Sequence, residues 1–249
     1  LMTLLLLIFP ILSGVVITVA KLDPLQGLLV QALGFALALL VGLLISKKRW
    51  GTTREVGLRQ LQIRDLRTYF YFAPILLAEL GMLLFGFRES LGLKYLAIHL
   101  LLSIIMGFCE ELYFRGIILK ALEPKGVHIQ ILISSLLFSL AHLTYLLTGV
   151  GLIVTLFQVF LAFCFGFLAA VLALSNKSLW IPIAWHALHN FLQYIRVENS
   201  GNLDYIAGSV QCVIFLAYGI YLLNTKLVDH EDQKGPNLED QSPTMTSGR

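Results

Sequence analysis

Charge is what this sequence most lacks. Asp, Glu, Lys and Arg make up 13% of its 249 residues, against about 25% in an ordinary soluble domain. A water-facing shell cannot be assembled from so little, so a soluble globular fold is excluded as a class. Cysteine is scarce as well. Cys109, Cys164 and Cys212 are the only three and lie dispersed inside apolar blocks, which rules out a disulfide framework and leaves them as small packing residues. Alternation of apolar and polar residues is missing from the long apolar runs, so a closed transmembrane β-barrel is excluded too.

What the sequence has instead is apolar length. Hydrophobic residues account for 57% of the chain, gathered in blocks of roughly 18–25 residues, the length that crosses a hydrocarbon core about 30 Å thick. Lipid offers backbone groups no hydrogen bonds, so such blocks must be helices. The expected fold is therefore all-α, a polytopic membrane protein with about eight transmembrane helices enclosing a polar active-site cavity. The spans are expected near 2–20, 25–46, 69–88, 95–121, 128–147, 151–174, 180–196 and 205–224. Breaks between them are marked by Asp23-Pro24, Lys47-Lys48-Arg49, Glu123-Pro124, Thr148-Gly149 and Asn176-Lys177-Ser178. Residues 1–225 thus form one transmembrane domain, with 95–196 as its core, and 226–249 a flexible cytoplasmic tail. The numbering begins at Leu1 rather than Met, which allows for a longer product. The first apolar run has no basic leader or obvious cleavage site, and is expected to stay as a helix.

Positive charge sets the expected orientation. With both termini in the cytoplasm, thirteen of the eighteen Lys and Arg residues fall on that side. Lys21, Arg88, Lys94 and Arg196 fall on the other, and Arg115 lies within a span. The polar, basic segment 47–67 carries Val56, Leu58, Leu61, Ile63 and Leu66. That pattern predicts a short helix along the membrane surface, where anionic lipid or substrate can be recruited, although an ordinary basic loop fits equally. The expected location is an integral, multi-pass one, the cell membrane if the source is bacterial. No nucleic-acid partner is expected.

A few polar residues sit where apolar ones belong. The fourth span contains Glu110, Glu111 and Arg115, each costing about 2.5–3.5 kcal/mol at a helix centre unless shielded from lipid. Glu111 and Arg115 are four residues apart with the acid first, the favourable order for an ion pair. Glu110 points about 100° away from Glu111, so one carboxylate can be neutralised while the other remains a candidate general base for water. The fifth span contributes His142, and the seventh His186 and Asn190 at i and i+4, with His189 between them. An imidazole and an amide on one face can hold an oxyanion or fix a water. Counted from the cytoplasmic ends of their helices, Glu110, His142 and His186 fall at comparable depth, which predicts one shared cavity. Glu79, mid-span beside Pro74, is expected either to pair with Arg115 or to line that cavity. His99 reads as an interfacial residue, and Gln158 as a hydrogen-bonding contact to a neighbouring helix.

Glu110-Glu111-x-x-x-Arg115, then Phe138-x-x-x-His142, then His186-x-x-x-Asn190 resembles the three-motif signature of the CAAX protease and bacteriocin-processing family, which includes the eukaryotic and archaeal Ras-converting endopeptidases. The motifs occupy 110–190, about a third of the chain, in the family's order on alternate helices. The resemblance implies peptide-bond hydrolysis within the membrane, without a cofactor. Glu110 would activate water, His142 assist with water or protons, and His186 with Asn190 stabilise the oxyanion. Glu111 and Arg115 would support the cavity. The implied partner is a peptide or a prenylated, membrane-anchored protein. Three other readings stay open. A zinc protease would use His142, His186 and a Glu, although no His-Glu-x-x-His is present. A non-catalytic scaffold or bacteriocin-immunity factor would keep the motifs without turnover. A proton-coupled transporter would use Glu and His as relays, but the internal repeats common in transporters are not evident.

Overall fold

The computed structural model describes residues 2–60, 72–88, 91–197 and 202–228, and they are almost entirely helical. We number the helices α1 (Met2–Val19), α2 (Pro24–Trp50), α3 (Ala73–Gly81), α4 (Leu93–Glu111), α5 (Val127–Ala141), α6 (Leu152–Asn176), α7 (Trp180–Ile195) and α8 (Asn202–Leu222). Among the described residues the only strand-like pairing is one bridge between Phe87 and Arg196.

Helix ends follow local chemistry. α2 opens on a capping box: the Asp23 carboxylate accepts from the Leu25 and Gln26 amides, and the Gln26 side chain accepts from the Asp23 amide. Such a box satisfies donors that a helix start otherwise leaves orphaned. It closes at Gly51, whose φ of 75° suits a residue without Cβ, after Lys47, Lys48 and Arg49 have complemented the helix dipole.

The eight expected spans all meet helices, but they are not equivalent. Five helical stretches are long and apolar enough to cross a bilayer: Pro24–Trp50, Leu93–Lys125, Val127–Thr148, Leu152–Asn176 and Asn202–Leu227. α1 offers a shorter apolar stretch, Leu5–Val19. α3 has 9 residues and α7 has 16, lengths of about 14 and 24 Å at 1.5 Å per residue. Five of the about eight expected crossings thus have, among the described residues, a helix that qualifies by length and composition. Apolar content gave no warning, because α3 and α7 are as greasy as their neighbours and merely stop sooner.

The bundle is inside-out. Leu33, Leu40, Leu77, Ile153 and Val213 are exposed, whereas Glu79, Ser103, Glu111, Arg115, Ser134 and His186 are buried. In water such an apolar exterior would be an aggregation surface; against lipid tails it is the solvated face. α4 is the central element, packed on α7 along one side and α2 along another, while α6 lies between α5 and α8.

Beyond Glu111, α4 widens into a π-helical turn, Leu112–Ile118, before a last α-helical turn, Leu119–Leu122. Widening disturbs the i to i−4 ladder, and the carbonyls it loosens need other donors away from water. α5 supplies them. Ser134 Oγ donates to the Phe114 carbonyl at 2.9 Å, and Gln130 Nε2 to that of Leu119 at 2.8 Å. Tyr113 donates its hydroxyl to Ala38 of α2 at 3.0 Å.

The segment expected to form a short helix along the membrane surface is described only as far as residue 60. After Trp50 the chain makes a 3-10 turn, Thr53–Val56, with Val56 buried. The Leu179 amide donates to the Gly57 carbonyl at 2.9 Å, and Ser178 Oγ to that of Arg59 at 3.2 Å. Segment 53–59 is thus docked into the start of α7, held by backbone bonds that side-chain periodicity does not encode. Leu61, Ile63 and Leu66 lie outside the described residues, as does nearly all of the expected tail.

Candidate active site

Two glycines let the site assemble. A Cβ on Gly107 would stand 2.9 Å from the Ala187 backbone nitrogen and 3.3 Å from the carbonyl carbon of His186. At Gly107, therefore, α4 and α7 touch backbone to backbone, one turn from Glu110. A Cβ on Gly166 of α6 would meet Arg115 Nη2 at 3.0 Å and Phe138 at 3.1 Å. That gap admits the guanidinium.

Arg115 and Glu111 stand 3.1 Å apart (Nη1 to Oε1), both side chains wholly buried. The guanidinium lies over the Phe138 ring, 4.1 Å from its centroid, a cation–π contact that is strongest where water is excluded. Its Nε and Nη2 have no hydrogen-bond partner among the described residues.

His186 is the hub. Its Nδ1 is 2.7 Å from Glu111 Oε1, and since a carboxylate oxygen accepts, this nitrogen carries the proton. Its Nε2 points to Glu110 Oε2 at 3.6 Å, beyond a hydrogen bond but within the span of a shared water. Both carboxylates of α4 therefore face one imidazole of α7, with Arg115 behind Glu111. Spacing alone did not reveal that His186 addresses Glu111, because the two lie on different helices.

His142 sits where α5 gives way to a 3-10 turn, His142–Thr148. Its Nδ1 is 3.0 Å from the Phe138 carbonyl, so Nδ1–H donates and Nε2 keeps a free lone pair. Phe138 lies edge-on to both rings, 4.9 Å from His142 and 5.7 Å from His186. One aromatic ring thus spaces the two imidazoles. Asn190, one turn beyond His186, has its Nδ2 buried with no partner among the described residues. Glu111 Oε2 is likewise unpartnered.

Glu79 does not pair with Arg115. Its carboxylate, fully buried, accepts from Trp185 Nε1 at 2.7 Å and meets His189 Nδ1 at 3.0 Å. The His99 ring stacks on Tyr194 at 4.4 Å. A mid-helix carboxylate in an apolar run always needs a partner; its identity, 110 residues on, is a tertiary fact.

A cavity of about 440 Å³ opens beyond Arg115, with Glu55, Arg59, Lys120, Glu123 and Lys177 among its lining residues. Glu110, His142 and His186 do not line it. Among the described residues, no three His, Cys, Asp or Glu side chains converge as a metal site would.

Residues 92–192, which include Glu110, Glu111, Arg115, His142, His186 and Asn190, match a family described as Rce1-like: Type II CAAX prenyl endopeptidase Rce1-like. No curated protein matches the chain significantly.

Proposed function

We propose, from the match of residues 92–192 to the Rce1-like type II CAAX prenyl endopeptidase family, that this chain is an intramembrane endopeptidase in which Glu110 activates the attacking water. The observation that carries the reading is the convergence of Glu110 and Glu111 on the two nitrogens of His186. Glu111 is occupied twice, by Arg115 and by His186. Glu110 has no such commitment, and can hold a water between its Oε2 and the imidazole.

In the proposed reaction, Glu110 takes a proton as water adds to the scissile carbonyl. Charge develops on the carbonyl oxygen, where a donor placed in advance is worth far more than in water. Asn190 Nδ2, buried and unpartnered, is such a donor. His186, its Nδ1–H held by Glu111, presents Nε2 as an acceptor that orients the water shared with Glu110. His142 keeps Nε2 free to steady the water, and Glu110 then returns its proton to the leaving amine. The substrate is a peptide or protein anchored in the membrane, with a prenylated C-terminus as its first candidate. Both termini are taken to be cytoplasmic, since that assignment puts most Lys and Arg of the sequence in cytoplasmic loops. The mechanism needs no metal.

The test is cleavage of a farnesylated CAAX peptide and of several membrane-anchored peptides by wild type, Glu110→Ala, His142→Ala and His186→Ala. Wild type alone is expected to cleave, with activity persisting after prolonged chelation. Loss of activity on chelation, restored by zinc, would transfer the reaction to a metal. Indistinguishable behaviour of all four proteins in cells, with no cleavage in vitro, would support a scaffold.

A further inference from the structure

A second acid–imidazole pair sits on α7, and the proposed catalysis does not use it. From its geometry, and resting on the protease reading above, we infer that Glu79 is a positioning residue. It grips the back of α7 and so sets the angle at which His186 and Asn190 meet the substrate.

The grip is complete. Oε1 of Glu79 accepts from Trp185 Nε1 at 2.7 Å, and His189 Nδ1 lies 3.0 Å from each oxygen. Trp185 and His189 are four residues apart and share one face; His186 and Asn190 form the next stripe, about 100° round the helix. Holding the first stripe therefore fixes the second.

Donor and acceptor roles are consistent along the whole row. Arg196 Nη1 donates to Asp204 at 2.6 Å, and Arg196 Nε to Gln193 Oε1 at 2.6 Å. Gln193 must then turn its amide nitrogen to His189 Nε2, 3.5 Å away. That nitrogen accepts, so Nδ1 carries the proton that Glu79 receives. The row ties the far end of α7 to the start of α8. α3 is itself held, because Gln211 Nε2 of α8 donates to the Ala78 carbonyl at 3.3 Å. On the remaining side Phe165 of α6 stacks on Trp185 at 4.0 Å and tilts against His186 and His189.

The lever is short. A side chain roughly 6 Å from a helix axis travels about 1 Å for a 10° rotation, and a misplacement of that size costs on the order of 100-fold in rate. α7, with 16 residues, is too short to be fixed by anchoring at both membrane surfaces, so its rotation has to be set by contacts such as this one.

The experiment uses the full chain in detergent. Glu79→Ala and Glu79→Gln are assayed on the farnesylated peptide. Each is also combined with Asn190→Cys, so that maleimide labelling reports that position without turnover. Glu79→Ala is expected to lower kcat about 100-fold with KM within threefold. Glu79→Gln, which keeps one acceptor, should lower it about tenfold, and labelling at position 190 should change at least fivefold in Glu79→Ala. Should Glu79→Ala fail to yield monodisperse protein, Glu79→Gln and Trp185→Phe carry the test, the latter with about a threefold loss in kcat. Rates within twofold of wild type together with unchanged labelling would overturn the inference. So would a kcat loss that vanishes once rates are divided by the folded fraction. If wild type cleaves nothing, the protease reading alone fails, and labelling still decides whether Glu79 positions α7.

Discussion

The two acid–imidazole clusters on α7 make opposite uses of the same chemistry. Around Glu79 the polar contacts close: both carboxylate oxygens have donors, and both His189 nitrogens face partners. Around Glu110 they stay open. Glu111 Oε2, Arg115 Nε and Nη2, and Asn190 Nδ2 are all buried without a hydrogen-bond partner among the described residues. Native proteins leave few buried polar atoms unsatisfied. On the proposed reading, Asn190 Nδ2 is the one of these that a peptide carbonyl would meet, and the others are open to water. On that same reading, the satisfied cluster positions α7 and the unsatisfied one carries the chemistry.

The contrast can be broken at several points. The largest effect belongs to Glu110→Gln, which keeps the shape and removes the base. We expect turnover of the farnesylated peptide to fall by about 10²–10⁴-fold, with the elution profile in detergent unchanged. Asn190→Ala should follow, at about 10²–10³-fold in kcat with little effect on KM, which is the usual loss for one oxyanion donor; a steady-state series separates the two constants. Gly107→Ala sharpens the comparison differently, since its methyl would press on the α7 backbone 2.9 Å away. Thermal unfolding in detergent should register an overpacking cost of about 1–3 kcal/mol, accompanied by loss of activity as α4 and α7 part. Ser134→Ala leaves the loosened Phe114 carbonyl without its donor and should cost about 1–3 kcal/mol by the same measurement, with the chemistry largely intact. Lys120→Ala comes last. Its contacts with Glu123 at 2.7 Å and Glu55 at 3.2 Å are partly solvated, so stability should change by about 0–1 kcal/mol.

Much of this was legible in the chain itself, for reasons that are physical. Helical class follows from apolar length. The Glu111–Arg115 pair lies within one helix, where spacing fixes geometry, and so does the shared face of His186 and Asn190. Contacts between helices were not legible. His186 meets Glu111 across 75 residues, and Glu79 meets His189 across 110, so the sequence shows that each carboxylate needs a partner without showing which one. Of the two expectations for Glu79, pairing with Arg115 or lining the cavity, the pairing failed for that reason. The π-helical turn after Glu111 leaves no periodic trace, because its freed carbonyls are satisfied by Ser134 and Gln130 of another helix. Trp185 and His189, again at i and i+4, were a signal that could have been read. A helix presenting two polar stripes requires a partner for each.

The most direct measurement is single-turnover cleavage of a farnesylated peptide by purified Glu110→Gln beside Glu79→Gln. If the open cluster does the chemistry and the closed one only orients it, the first variant should be essentially inactive while the second still cleaves, about tenfold more slowly than wild type. Cleavage by Glu110→Gln at the wild-type rate would contradict the account.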